Sequence, residues 1–238
     1  MRDTKKHKRL YIFLDETGDP GHPDKPGASL LYQLNIVSTD FPGVTALLKH
    51  ISGFRYFNDT GRELEKYHRS ADKICEIFRT CYESYGVNFA SFYVVKKDFI
   101  GPYLHQNNIK RSSYNPTYFK NYIVRKSLET LFSEVEIDTY TEIELIFDRY
   151  LDNEEEEMNL KRYLRNNRDL PNLLHITQVD SIYCEPVQSA DYLGKIVKDS
   201  HLGSKTRQLL NFVHCFNLRF PDGAVKEKCP AAPMSTRH

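Results

Sequence analysis

The run RLYIFLD, residues 9–15, is apolar on both alternations: Leu10, Ile12 and Leu14 on one side, Tyr11 and Phe13 on the other. A strand with this pattern must be covered on both faces, so the chain has to build layers on each side of a sheet. The run stops on two carboxylates, Asp15 and Glu16, and breaks into the turn-rich TGDPG. A second segment, TEIELIFD (141–148), alternates Ile143, Leu145 and Phe147 against Glu144, Ile146 and Asp148. It also ends on Asp.

Around these two segments the sequence alternates strand and helix signals. SLLYQLNIV (29–37) reads as a hairpin partner of the first strand, and FRYFND (54–59) as a shorter third one. A helix beginning near Ser70 carries Ile74, Ile77, Phe78, Cys81 and Tyr85 at helical spacing, with Gly86 as its stop. VNFASFYVV (87–95) is a strand. NPTYFKNYIVRKSLETLF (115–132) opens with an Asn cap and a first-turn Pro. LDNEEEEMNLKRYLRNN fits a solvated helix with an acidic start and a basic end, complementary to the helix dipole. LLHITQVDS (173–181) is a further strand, PVQSADYLGKIVKDS (186–200) a further helix, and PDGAVKEKCPAAPMSTRH (221–238) a loose tail. Residues 1–220 are expected to form one domain. Antiparallel strands first, then strands joined by helical crossovers, give an α/β fold with a mixed sheet. That order is compatible with a ribonuclease H-like sheet, and another doubly wound sheet stays open.

Composition excludes several classes. The 238 residues are 40% hydrophobic and 27% charged, as in a globular protein, and no apolar run is long enough to span a bilayer. The basic start MRDTKKHKRL lacks the features of a signal peptide, so a cytoplasmic protein without a membrane partner is expected. A net charge of +1 rules out a global basic field. Five cysteines without a C-x-x-C pair suggest neither a disulfide framework nor a thiolate zinc site.

Ligands of open α/β sheets collect beyond the carboxyl ends of strands, which makes Asp15 and Asp148 candidates to share one site. Carboxylates at adjacent strand ends repel one another unless a cation neutralises them; oxygen-only ligands point to Mg²⁺ or Mn²⁺. Asp191 in VQSADYLGKIV lies at the border of an apolar helix face. Ser189, Ala190 and Gly194 are small enough to let that helix approach the sheet. RELEKYHRSAD adds Glu63 or Glu65 beside His68. For nucleic acid, Lys110 and Arg111 among Tyr114, Tyr118 and Phe119, together with Lys195 and Lys198 after Asp191, form a basic and aromatic path.

YIFLDETGD, RELEKYH, ELIFDRY and VDSIYCEPVQSADYLGKIV, in this order, resemble the motifs of the domain of unknown function 3800 family over about residues 9–200. The resemblance implies a ribonuclease H-like fold with an acidic divalent-metal site that hydrolyses phosphodiester bonds of nucleic acid. It implies Asp15, Asp148 and Asp191 as metal ligands, Ser181 and Gln188 as flanking polar groups, and Glu16 as a ligand or supporting residue. The family's Lys after E-L is Glu65 here, which leaves Glu63 and Glu65 as alternatives for a further catalytic carboxylate. A catalytically incomplete module that binds nucleic acid or a partner protein, including a second copy of the chain, is the alternative reading. A phosphatase with Asp15 as nucleophile would need a second Asp where Thr17 stands.

Overall fold

The computed structural model describes residues 8–58, 71–105, 114–135, 139–148, 154–167, 170–171, 174–201, 211–220 and 223–227. Its strands form one seven-stranded mixed sheet in the order β5-β4-β1-β2-β3-β6-β7. β1 (Arg9–Thr17), β2 (Leu31–Thr39) and β3 (Asn88–Val95) make an antiparallel meander. β4 (Glu142–Asp148) runs parallel to β1 on its other side, and β5 (Leu174–Val179) parallel to β4. β6 (Val213–Arg219) adds in parallel to β3, and β7 (Gly223–Glu227) pairs antiparallel with β6.

The doubly apolar β1 is covered as its pattern requires. On one face Leu10, Ile12 and Leu14 join Leu34, Ile36, Leu145 and Phe147 beneath α3 (Pro116–Glu134) and α4 (Glu154–Arg165). On the other, Phe13, Val37 and Phe89 meet α1 (Phe41–Asn58), α2 (Ala71–Tyr85) and α5 (Glu185–His201). Strand residues two apart share a face. Asp15 therefore lies on the α5 side with Phe13, whereas Glu16 lies on the α3 side with Leu14.

Local chemistry accounts for the helix starts. Asn115 caps α3 by accepting the Tyr118 N–H at 3.0 Å, with Pro116 in the first turn. Four glutamates occupy the first turn of α4, and Arg162 and Arg165 its last. Cys75 and Cys81 are buried free thiols of α2.

Three expectations are corrected. Residues 54–58 of the expected strand FRYFND are the end of α1, because Ala46, Leu47 and Ile51 keep one helical face buried and the aromatic residues follow that helix despite their strand propensity. Residue 59 lies outside the described residues. Part of the expected loose tail is β7, which follows the hairpin signal Asp-Gly and pairs with β6 from Cys215↔Glu227 to Arg219↔Gly223. Cys215 is disulfide-bonded, a pairing that nearest-neighbour cysteine spacing does not reveal. Among the described residues no helix is long and apolar enough to cross a membrane.

Candidate active site

β1 and β4 deliver Asp15 and Asp148 side by side. The parallel register closes on Leu14↔Phe147, and each carboxylate is the next residue on its strand. Adjacent strands run about 4.8 Å apart, and the two side chains share the α5 face. α5 brings the third carboxylate: Asp191 and Asp148 both act electrostatically on Asp15.

Asp15 is 8% exposed. Burial, reinforced by the charges of Asp191 and Asp148, pushes its carboxyl up to about 8 against the opposing pull of the Glu16 N–H. Burial also raises Asp191, outweighing the Lys195 ammonium that donates to its Oδ2 at 2.8 Å. Lys195, expected to meet phosphate, is thus held by a carboxylate, while Lys198 three residues on is exposed.

Asp148 is fixed from behind. Its Oδ1 accepts the Ser181 N–H at 2.9 Å, and Gln188 Nε2 donates to the Ser181 carbonyl at 2.6 Å. Both residues are buried, in a 3₁₀ turn (Ser181–Tyr183) and in the first turns of α5. Ser181 and Gln188 accordingly flank the carboxylates, through a backbone N–H and an amide brace.

Residues that sequence reasoning passed over set the height of α5 above the sheet. Asp15 pairs across the strands with Asn35, and Asn35 with Ser91. Asn35 is fully buried; its Nδ2 donates to Thr17 Oγ1 at 3.1 Å, and its Oδ1 accepts from Gln33 Nε2 at 2.7 Å and Ser91 Oγ at 3.0 Å. Gln33 Nε2 also reaches the Gly194 carbonyl at 3.3 Å. A Cβ on Gly194 would fall inside van der Waals contact of both Asn35 Nδ2 and Thr17 Oγ1. The only signal in the sequence is a pair of amides, Gln33 and Asn35, within an otherwise apolar strand.

Gly194→Ala therefore has two opposed effects. Helix propensity favours Ala by about 1 kcal/mol, and overpacking against a buried, fully bonded amide costs about 1–3 kcal/mol. The expected result is a net loss near 1 kcal/mol, a fall of about 2–4 °C in thermal unfolding, with α5 and Asp191 lifted from Asp15. An unchanged or raised melting temperature would show that the close approach is not obligatory.

Glu16 is not brought to this cluster. Tyr32 Oη donates to its Oε2 at 2.6 Å and Lys120 Nζ to its Oε1 at 3.2 Å, on the α3 face. Glu63, Glu65, His68, Lys110 and Arg111 lie outside the described residues. The turn after Asp15 is tied down by Lys96, whose side chain is fully buried: Nζ donates to Asp19 O at 3.1 Å, Asp19 Oδ1 at 3.2 Å and Gly21 O at 3.0 Å. Gly18 starts that turn at φ +92°, and any Cβ there would collide with the Leu31 carbonyl.

Among the described residues no group of three or more His, Cys, Asp or Glu side chains is set as a metal-holding cluster. The donors that do converge are all carboxylate oxygens, chemistry suited to Mg²⁺ or Mn²⁺, and the raised proton affinity of Asp15 comes first from its burial and then from the neighbouring Asp191 and Asp148 charges. No family model matches the chain, and no curated protein matches it.

Proposed function

We propose that this chain is a divalent-metal-dependent nuclease of the ribonuclease H-like type, hydrolysing phosphodiester bonds in nucleic acid. The observation that carries the reading is the convergence of Asp15, Asp148 and Asp191 from two parallel strand ends and a closely packed helix. The β1-β2-β3 meander with β4 and β5 parallel to β1 supports this reading.

Asp15, Asp148 and Asp191 would hold Mg²⁺ or Mn²⁺, which supplies activation of a water and stabilisation of the leaving oxygen. The rest is positioning by the chain itself. Ser181 and Gln188 hold Asp148 in one orientation. Gly194 lets α5 sit low enough for Asp191 to act on Asp15. Lys195 pairs with Asp191 and would compete with a cation for that carboxylate. Lys198, exposed on the same helix, is available to a phosphate.

The same Lys195 pair, and the absence of an assembled metal cluster among the described residues, favour a second reading: a module that binds nucleic acid or a protein without cutting. The test is incubation of the full chain with single- and double-stranded DNA and RNA in Mg²⁺ or Mn²⁺. Cleavage that drops on the order of 1,000-fold in Asp148→Asn and Asp191→Asn is expected. Cleavage of nothing, together with no rise in melting temperature on adding Mn²⁺, would replace the nuclease with the binding module.

A further inference from the structure

A pocket of about 250 Å³ is lined by Tyr103, Tyr118, Asn121, Asn159 and Tyr163, between α3, α4 and the segment preceding α3. It lies on the sheet face away from Asp15, yet it is tied to the same strand end. Lys120, between lining residues Tyr118 and Asn121, donates to Glu16, the neighbour of Asp15.

Three features separate it from a packing defect. Asn121 is 3% exposed, and its Oδ1 is buried without a hydrogen-bond partner, a placement that carries a penalty unless something fills it. Tyr103 holds φ at +72°, in the left-handed region that bulky side chains rarely adopt, and its carbonyl is pinned by the Asn115 N–H at 2.9 Å. Strained backbone of this kind collects at ligand clamps. The walls are aromatic: the Tyr103 and Tyr118 rings meet edge to face at 5.5 Å, and the Arg125 guanidinium lies 5.1 Å from the Tyr163 ring.

We propose that this pocket receives one unpaired nucleobase of a nucleic-acid strand. The assignment rests on the nuclease reading and names its substrate as single-stranded, or locally unpaired, nucleic acid. Aromatic side chains offer faces on which a base can stack, and a carboxamide matches a base edge that presents donor and acceptor side by side. The volume falls just below the roughly 300 Å³ at which sites for drug-sized ligands begin, so it suits a ring system rather than a whole nucleotide. No lining residue is charged, which leaves sugar and phosphate outside. A base stacked within a duplex could not enter without being extruded.

The test uses the full chain without added metal, titrated with adenosine, guanosine, cytidine and uridine and followed by saturation-transfer NMR and calorimetry. At least one nucleoside should bind saturably, and Tyr118→Ala and Asn121→Leu should each weaken it about tenfold or more, while Asp15→Asn leaves it unchanged. Tyr118 is 51% exposed, so its truncation spares the core. Asn121→Leu removes an unpartnered amide oxygen and should melt no lower than the unaltered chain, a result that separates ligand recognition from a structural role. The proposal is overturned if no nucleoside binds, or if binding survives both pocket variants. Nucleosides hold no phosphodiester bond, so pocket-dependent binding without cleavage of any oligonucleotide would remove the nuclease reading alone. Cleavage without nucleoside binding would remove the pocket alone.

Discussion

Under the proposed nuclease reading, Asp15→Asn is expected to abolish metal-dependent cleavage, and independently of that reading it is expected to make the folded chain more stable in alkaline solution. The first effect follows from removing a carboxylate that interacts with both Asp191 and Asp148; its expected size is on the order of 1,000-fold or more. The second follows from proton linkage. Asp15 titrates at about 8 in the folded chain, against 3.8 as its ordinary value, so between these limits the folded state holds a proton that the unfolded state has released. Stability from this group is fully present below about pH 4 and is lost as pH rises through about 8. Asn carries no such burden. Its advantage in melting temperature should be absent near pH 4, grow up to about pH 8 and level off above. Thermal unfolding at pH 4, 6 and 9 checks this; an advantage independent of pH would mean that burial does not set the ionisation of Asp15.

Lys96→Met lowers the melting temperature by about 5–10 °C. Lys96 is fully buried, and its ammonium serves carbonyls and carboxylate of the turn that follows Asp15. Breaking a fully buried ion pair costs about 3–5 kcal/mol, but Asp19 is 44% exposed and water replaces part of what it loses. A loss of about 2–3 kcal/mol remains, and each kcal/mol is worth about 2–4 °C in a chain of this size. Acid sensitivity should move as well. Against the burial that would raise it, hydrogen bonds from Ser29 and Lys96 hold Asp19 down to about 2. Its contribution is present above about pH 4 and lost as pH falls toward 2, so the variant should begin to unfold at a higher pH than the unaltered chain. Equal acid midpoints would show that Lys96 does not hold this turn.

What could be read from the sequence was whatever a short window carries. β1 and β4 were legible because their apolar runs leave little choice of period, although β1 continues past Asp15 to Thr17 in its pairing with β2, and α3 because Asn115 and Pro116 mark its start within two residues. The small residues around Asp191 announced a close helix. The missing parts depend on partners distant in the chain. β6 has no turn signal on its leading side and is a strand because β3 and β7 lie beside it. α1 lacks a clean apolar stripe, since Phe41 and Leu48 are apolar yet exposed beside the buried Ala46, Leu47 and Ile51. Lys96 and Lys97 are identical in sequence terms; only the fold buries the first and exposes the second. Nor does any local pattern tell that Asn35 lies opposite Asp15, or that Asn121 faces a pocket.

The alternation of β1 makes the strand end a frame-sensitive device. Asp15 and Glu16 are chemically alike, yet one joins Asp148 and Asp191 while the other is bonded to Tyr32 and Lys120 on the opposite layer. A slip of one residue against β4 would exchange them, carrying Glu16 into the cluster, stranding Asp15 beside Lys120 and turning Ile12 and Leu14 toward the wrong core. Insertions or deletions inside residues 9–17 therefore cannot be absorbed by sliding. The apolar residues that bury this strand also act as the lock that decides which of two adjacent carboxylates joins Asp148 and Asp191.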